Sequence, residues 1–256
     1  MRICRIAVAL VAFAFASLTP REVAAQTGAV RVLVSNGMKT AMEELQPRCE
    51  RMIGHPLVLQ FNSTAGLKQQ IEAGDSFDVA MITSEAADDL IKQGKLAGDS
   101  RAAMGRVQLG IGIRAGAAKP DIHTPEALKR TLRATKSITY RVDGASRPDI
   151  EKMFERLGIA AELQPRIILV EGSGTATDSV ASGKAELVIT LSSEIMPVHG
   201  IQLLGPLPLE FQYSIPFEAA ISAKATNADA AKALIAILAG PGVAPVFKAS
   251  GLDRRD

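Results

Sequence analysis

Four short stretches of small and hydroxylated residues each sit where an extended run gives way to a helical one. They are Ser35-Asn36-Gly37, Asn62-Ser63-Thr64-Ala65-Gly66, Gly144-Ala145-Ser146 and Gly172-Ser173-Gly174-Thr175. The first turn of a helix has backbone N–H groups without intrahelical partners, and such an end favours an anion. Small residues let a ligand reach the backbone, and hydroxyls add donors. The chemistry on offer is capture of a small anion by neutral donors. Each stretch alone is also what an ordinary helix cap looks like, so the weight lies in the set of four. The last one lacks the Gly-Lys-Ser/Thr ending of a phosphate loop.

Charged candidates are fewer. Arg141 and Arg147 flank the third stretch, and an arginine there could pair bidentately with a carboxylate or phosphate. The alternative is that both are solvated, or paired with Asp143 and Asp149. Glu85, Asp88 and Asp89 could act as acid or base in an exported enzyme, but acidic residues at a helix start also suit the helix dipole. His55, His123 and His199 lie far apart without paired spacing. That suggests neither a metal site nor histidine catalysis, and no cofactor is expected. Cys49 falls on the helical stripe Met38, Ala41/Met42, Leu45, Cys49, Met52 and reads as a small buried apolar residue.

The elements that must position these residues alternate. Val30–Val34, Leu57–Phe61, Phe77–Ile82, Val107–Arg114, Ser137–Val142, Arg166–Val170, Glu186–Leu191, Ile201–Leu204 and Ser214–Ser222 read as strands. Helical periods lie between them, the pattern of an α/β fold with mainly parallel strands. Thr124-Pro125-Glu126 predicts a capped helix start. Pro148 opens a helix that Gly158 closes, a third runs from about Gly174 to Gly183, and a fourth runs from Asn227 to Ala239 before Gly240-Pro241. Two long extended runs, around 107–113 and 213–222, suggest that the chain leaves one lobe and later returns to it. The expected lobes are residues 27–108 plus 218–256, and 109–217. Two crossovers make a hinge, with the ligand in the cleft between the lobes, beyond the carboxyl ends of the strands.

Arg2 and Arg5, the apolar run Ile6 to Leu18 and then Val23-Ala24-Ala25 read as a secretory signal, residues 1–25, cleaved after Ala25. The apolar run is short of the ~20 residues that span a bilayer, and no cysteine follows it to carry a lipid. Cleavage takes three of the 29 basic and one of the 27 acidic residues, leaving 26 of each. A chain without net charge has no electrostatic footprint for nucleic acid or anionic membrane. It also leaves Cys49 as the one thiol, so no internal disulfide is available.

At this point the sequence resembles the molybdate-type periplasmic substrate-binding proteins of ABC importers. The similarity is strongest over Phe61 to Ile82, with further matches at Leu157-Gly158, Ala181 to Ile189 and Leu238 to Leu252. The resemblance implies a two-lobed type II periplasmic-binding-protein fold without enzymatic activity, a periplasmic location and an inner-membrane ABC permease as partner. A sensor protein is an alternative partner, and a monomer is expected. It also implies an oxyanion held by hydroxyls on the first two loops, backbone N–H groups on the two later ones, and a tyrosine hydroxyl. Carried over, Ser63 and Thr64 match the second loop, Ala145 and Ser146 the third, and Ser173 and Gly174 the fourth. The family's first serine falls on Gly37, leaving Ser35 and Asn36 as substitutes, and its tyrosine falls on Leu191, followed by Ser192 and Ser193. Losing two hydrogen bonds to a charged ligand, each worth roughly 1.5–3 kcal/mol, would weaken binding a hundredfold or more. The expected ligand is molybdate or tungstate, and a small organic carboxylate held by Arg141 or Arg147 is the alternative.

Overall fold

The computed structural model describes residues 28–254. The signal-peptide expectation falls on residues 1–25 and lies outside the described residues. The strands are β1 Val30–Ser35, β2 Leu57–Asn62, β3 Val79–Thr83, β4 Ala102–Arg114, β5 Ile138–Arg141, β6 Ile167–Val170, β7 Leu187–Leu191, β8 Ile201–Leu203, β9 Ser214–Ile221 and β10 Leu252–Asp253. The α-helices are α1 Lys39–Ile53, α2 Thr64–Ala73, α3 Ser84–Lys92, α4 Pro125–Ala134, α5 Arg147–Arg156, α6 Ala160–Leu163, α7 Thr175–Ala181, α8 Ser192–Ile195, α9 Ala228–Ala239 and α10 Ala244–Ala249.

The strand order is β2-β1-β3-β9-β4-β7-β5-β6, with β8 and β10 also paired to β4. Parallel pairs lie towards the two edges, β1 with β2 and β3, and β5 with β6 and β7. Antiparallel pairs lie at the centre. β4 is the strand that both sheet halves share: Ala102 to Gln108 pair with β9, and Leu109 to Ile113 pair with β7. A register shift between Ala103 and Gly105 bends it within the first half. A thirteen-residue strand split this way carries the chain from one half to the other, and β9 lies antiparallel beside its first part.

Each half is covered on both faces, so strands such as β3 and β7 are buried along nearly their whole length rather than alternating. In the first half, Val30, Val32 and Val34 of β1 pack with α1, α9 and α10, while Leu33 packs with α2 and α3 on the other face. In the second half, Leu187 and Ile189 of β7 face α4 and α5, and Val188 faces α7 and α8. The helix signals act as expected at several ends. Thr124 Oγ1 accepts the Ala127 N–H, Pro125 takes the first helical position, and Gly158 follows α5 in the left-handed region. Met52, expected on the buried stripe of α1, is instead 57 % exposed, and in that last turn it is Ile53 that packs against the core. Cys49 on that stripe is buried, and burial pushes its thiol pKa up.

Candidate functional site

The strand ends of both halves point into one cleft. Its narrow part, a cavity of about 10 Å³, is lined by Ser35, Asn36, Ser63, Thr64, Arg141, Gly144, Ala145, Ser146 and Leu191, together with Thr190 and Glu194. Its wide part, about 310 Å³, shares Asn36, Arg141, Thr190 and Glu194, and adds Ser173, Gly174, Thr177 and Ser193, with Lys39 and Glu43. Thus Ser35 and Asn36, Ser63 and Thr64, and Ala145 and Ser146 surround the narrow part, while Ser173 and Gly174 border the wide one. Gly174 has φ +76, which lets the chain turn tightly into α7.

The hydroxyls on the second loop already have partners. Ser63 Oγ accepts the Gly66 N–H as the cap of α2 and donates to Asp143 Oδ2 at 2.5 Å. Thr64 Oγ1 donates to Ser35 Oγ at 2.9 Å. Asp143 is in turn gripped by Arg141, through Nε to Oδ1 at 3.0 Å and Nη2 to both carboxylate oxygens at 2.7 and 2.9 Å. Burial raises the Asp143 pKa, but the Ser63 and Arg141 hydrogen bonds outweigh it and hold the carboxyl below its usual range. Asp143 therefore sits on donors that an incoming anion would use. Arg141 is only 6 % exposed. Its bonds to Asp143 use Nε and Nη2 and leave Nη1 over on a side chain that lines both cavities.

Two further groups mark the cleft as a ligand site. Asn36 Nδ2 and Oδ1 are both buried without a hydrogen-bond partner among the described residues. An amide left this way costs roughly 1–3 kcal/mol per group until something binds it. Glu194 lines both cavities and accepts a hydrogen bond from Thr190 Oγ1. Burial pushes its pKa up; the Thr190 hydrogen bond and Arg141 pull it back only in part, and Asp143 adds to the rise. Thr190, Glu194 and Thr177 were not singled out by sequence. The one available signal was an acidic residue directly after Ser192-Ser193, at the end of a strand.

Gly37 and Leu191 depart from the resembling family together. A Cβ on Gly37 would lie 2.8 Å from Leu191 Cδ1 and 2.7 Å from Phe217 Cζ, so the leucine fills the space a side chain at 37 would need. Ser193 Oγ donates to the Gly37 carbonyl at 2.8 Å, tying α8 to this turn. Ser192 starts α8 and does not line either part of the cleft. Arg147 lies elsewhere: Nε donates to Glu151 at 2.8 Å and Nη1 to the Val142 carbonyl at 2.8 Å. The carboxylates of α3 are also outside the cleft lining, Asp88 paired with Arg101 and Asp89 with Lys68.

Two α/β halves sharing a central strand, with their strand ends facing one cleft, define a binding protein of the type II periplasmic architecture. The chain belongs to the bacterial extracellular solute-binding proteins, a family whose pattern matches residues 30–253. Among its relatives is a protein named aconitate isomerase from a Pseudomonas species, 30% identical over 242 residues, or 91% of either chain. Another is the molybdate-binding protein ModA of Azotobacter vinelandii, 26% identical over 237 residues, 89% of this chain and 91% of the relative. The solved periplasmic molybdate-binding protein of Azotobacter vinelandii superposes with a TM-score of 0.76 at 20% identity, covering 89% of this chain and all of that one. The sulfate-binding protein SubI of Mycobacterium tuberculosis superposes with a TM-score of 0.66 at 16% identity, covering 88% and 86%.

Proposed function

We propose that this protein is an exported receptor whose lobes, residues 27–108 plus 218–256 and residues 109–217, close over a small organic di- or tricarboxylate. The observation that carries this reading is the occupation of Ser63 and Arg141 by Asp143. A tetrahedral oxyanion in the narrow part of the cleft would have to displace a carboxylate from those donors. The adjoining 310 Å³ is wide enough for a branched acid of several carbons, and its lining includes Arg141 and the unpartnered Asn36 amide. The relative named aconitate isomerase supports a tricarboxylate as the class. Arg141 serves one carboxylate; the Asn36 amide serves another.

Delivery follows the family: the filled receptor docks on an ABC permease in the inner membrane, as a periplasmic monomer freed of residues 1–25. The isomerase relative makes turnover a matter for measurement beside transport. Molybdate keeps the support of the molybdate-binding relatives as a second reading.

A thermal-shift screen separates the two. A ligand present at a hundredfold excess over Kd adds about 2.7 kcal/mol to stability, or roughly 5–10 °C in Tm for a protein of this size. Citrate, the aconitate isomers, tricarballylate and glutaconate are expected to raise Tm, with molybdate, tungstate and sulfate leaving it in place. The reverse pattern sinks the carboxylate reading.

A further inference from the structure

We propose that the cleft also does chemistry, with Glu194 carrying a proton from one carbon of a bound unsaturated carboxylate to another and so moving its double bond. The inference rests on the carboxylate reading of the same cleft and adds a reaction to it. Glu194 is the carboxyl group that lines both the narrow and the wide cavity. Thr190, four residues before it in β7, holds one carboxyl oxygen, Oε2, and leaves Oε1 over for a ligand. The charged groups around it are Arg141 and Asp143, which are locked together, and Lys39 and Glu43, which pair with each other on the exposed side of the wide cavity.

That neighbourhood suits a group that gives and takes protons. Receptor duty gives no reason to keep a carboxyl group in a pocket for anions, where its charged form repels the ligand. A carboxyl raised by burial avoids that repulsion while protonated, and once ionised is a stronger base than a solvated carboxylate. Arg141 Nη1 and the Asn36 amide are placed on the same walls, where they can hold the ligand's carboxylate as negative charge spreads into it.

The step balances without a co-reactant. Ionised Glu194 removes a proton from the sp³ carbon next to the double bond. The released C–H pair becomes the new double bond, and the old π pair spreads to the far carbon and the conjugated carboxylate. The same Glu194 proton is then delivered to that far carbon. One C–H bond is broken, one is formed, the double bond has moved by one position, and nothing is oxidised or reduced. A single carrier on one wall works on one face of the ligand and returns part of the original proton.

The test uses the full secreted protein with cis-aconitate, trans-aconitate and trans-glutaconate as probes, followed by proton NMR in D2O and by calorimetric titration. The wild type is expected to interconvert the aconitate isomers with incomplete deuterium uptake in the product. Glu194→Gln keeps the shape and the Thr190 contact, so it should bind the probes within about threefold of wild type and lose turnover by about 10²–10⁴-fold. The rate should rise with pH as Glu194 ionises, and Thr190→Val, which removes a hydrogen bond that favours the ionised form, should lower kcat and move that rise to higher pH. Probes that bind to the wild type without isomerisation or deuterium exchange overturn the catalytic role and leave the receptor standing. Full turnover in a folded Glu194→Gln also overturns it. Probes that fail to bind at all overturn both readings.

Discussion

Ser63 Oγ lies 2.5 Å from Asp143 Oδ2, and this hydrogen bond joins a helix cap in one half of the molecule to the third loop of the other. A hydroxyl that the resembling family points at its oxyanion here points at the protein's own carboxylate. The anion site is thus partly self-filled, and the larger cavity beside it becomes the place where a ligand of different shape fits. Removing the internal anion should change the selectivity of the cleft. Asp143→Asn keeps the side-chain size and leaves Arg141 uncompensated, so affinity for small oxyanions should rise by about tenfold, equivalent to ~1.4 kcal/mol. Isothermal titration with molybdate and sulfate on the folded variant checks this, and an unchanged affinity would remove Asp143 from the account of selectivity.

Gly37 and Leu191 should behave as a pair. A Cβ at 37 comes within 2.8 Å of Leu191 Cδ1 and 2.7 Å of Phe217 Cζ, well inside contact distance. Gly37→Ser should therefore destabilise by about 1–3 kcal/mol through overpacking. Shortening the leucine makes room, so the double variant Gly37→Ser with Leu191→Ala should be more stable than the sum of the two single changes predicts. A double-mutant cycle from urea unfolding measures the coupling, expected at about 0.5–3 kcal/mol. Additive losses would mean that Phe217 alone bars a side chain at 37.

Much of this arrangement was legible in the sequence because it is written in local signals. The nine expected strands appear within a residue or two of their predicted ends, except that β4 begins at Ala102 instead of Val107. The reason is physical: the first part of β4 alternates around a register shift at Gly105, and neither its exposed positions nor the bulge resembles an apolar run. β10, two residues long, has no periodicity to find. At the site, the small and hydroxyl junctions stand out because they cap helices. Arg141 and Arg147 could not be ranked, since strand alternation carries no information where β5 is buried at every position. The expected pairing of Arg141 with Asp143 is present, whereas Arg147 takes Glu151, one helical turn ahead, and not Asp149. Glu194 was silent because a glutamate in a one-turn helix looks like any solvated residue until burial is known.

Asp78 shows how the first half is pinned. Its carboxylate accepts backbone N–H groups from Arg31 at 2.9 Å, Thr226 at 2.8 Å and Asn227 at 2.9 Å, tying β1 to the start of α9. Burial pushes its pKa up, and these hydrogen bonds more than reverse that, leaving it below the usual carboxylate value. The unfolded chain therefore takes up this proton at higher pH than the folded one. The stabilisation is present above the unfolded value and is lost as pH falls through the folded one. Asp78→Ala leaves three part-buried backbone donors unanswered and should cost about 3 kcal/mol, or roughly 6–12 °C in Tm at neutral pH. Its Tm should also fall less steeply than that of wild type below about pH 4. Differential scanning calorimetry from pH 3 to 7 decides it, and parallel curves for the two proteins would show that Asp78 contributes no linkage.

Arg141 and Arg147 make the sharpest contrast, since they flank the same loop and carry the same charge. Arg141 lines the cleft and holds Asp143 through two nitrogens, whereas Arg147 spends its guanidinium on Glu151 and the Val142 carbonyl, facing a different hollow bordered by Tyr140 and Phe154. Arg147→Lys should leave ligand affinity within about twofold and stability within about 0.5 kcal/mol, as for most exposed ion pairs. Arg141→Lys keeps the charge but cannot both grip Asp143 and reach a ligand carboxylate in a fixed plane. Its carboxylate affinity should fall by about tenfold to a hundredfold, the cost of one charge-assisted hydrogen bond. Titration of both variants with the acid that most raises the wild-type Tm compares them directly. If Arg147→Lys loses the ligand and Arg141→Lys keeps it, the ligand approaches from the other side of the loop and the cleft described above is the wrong one.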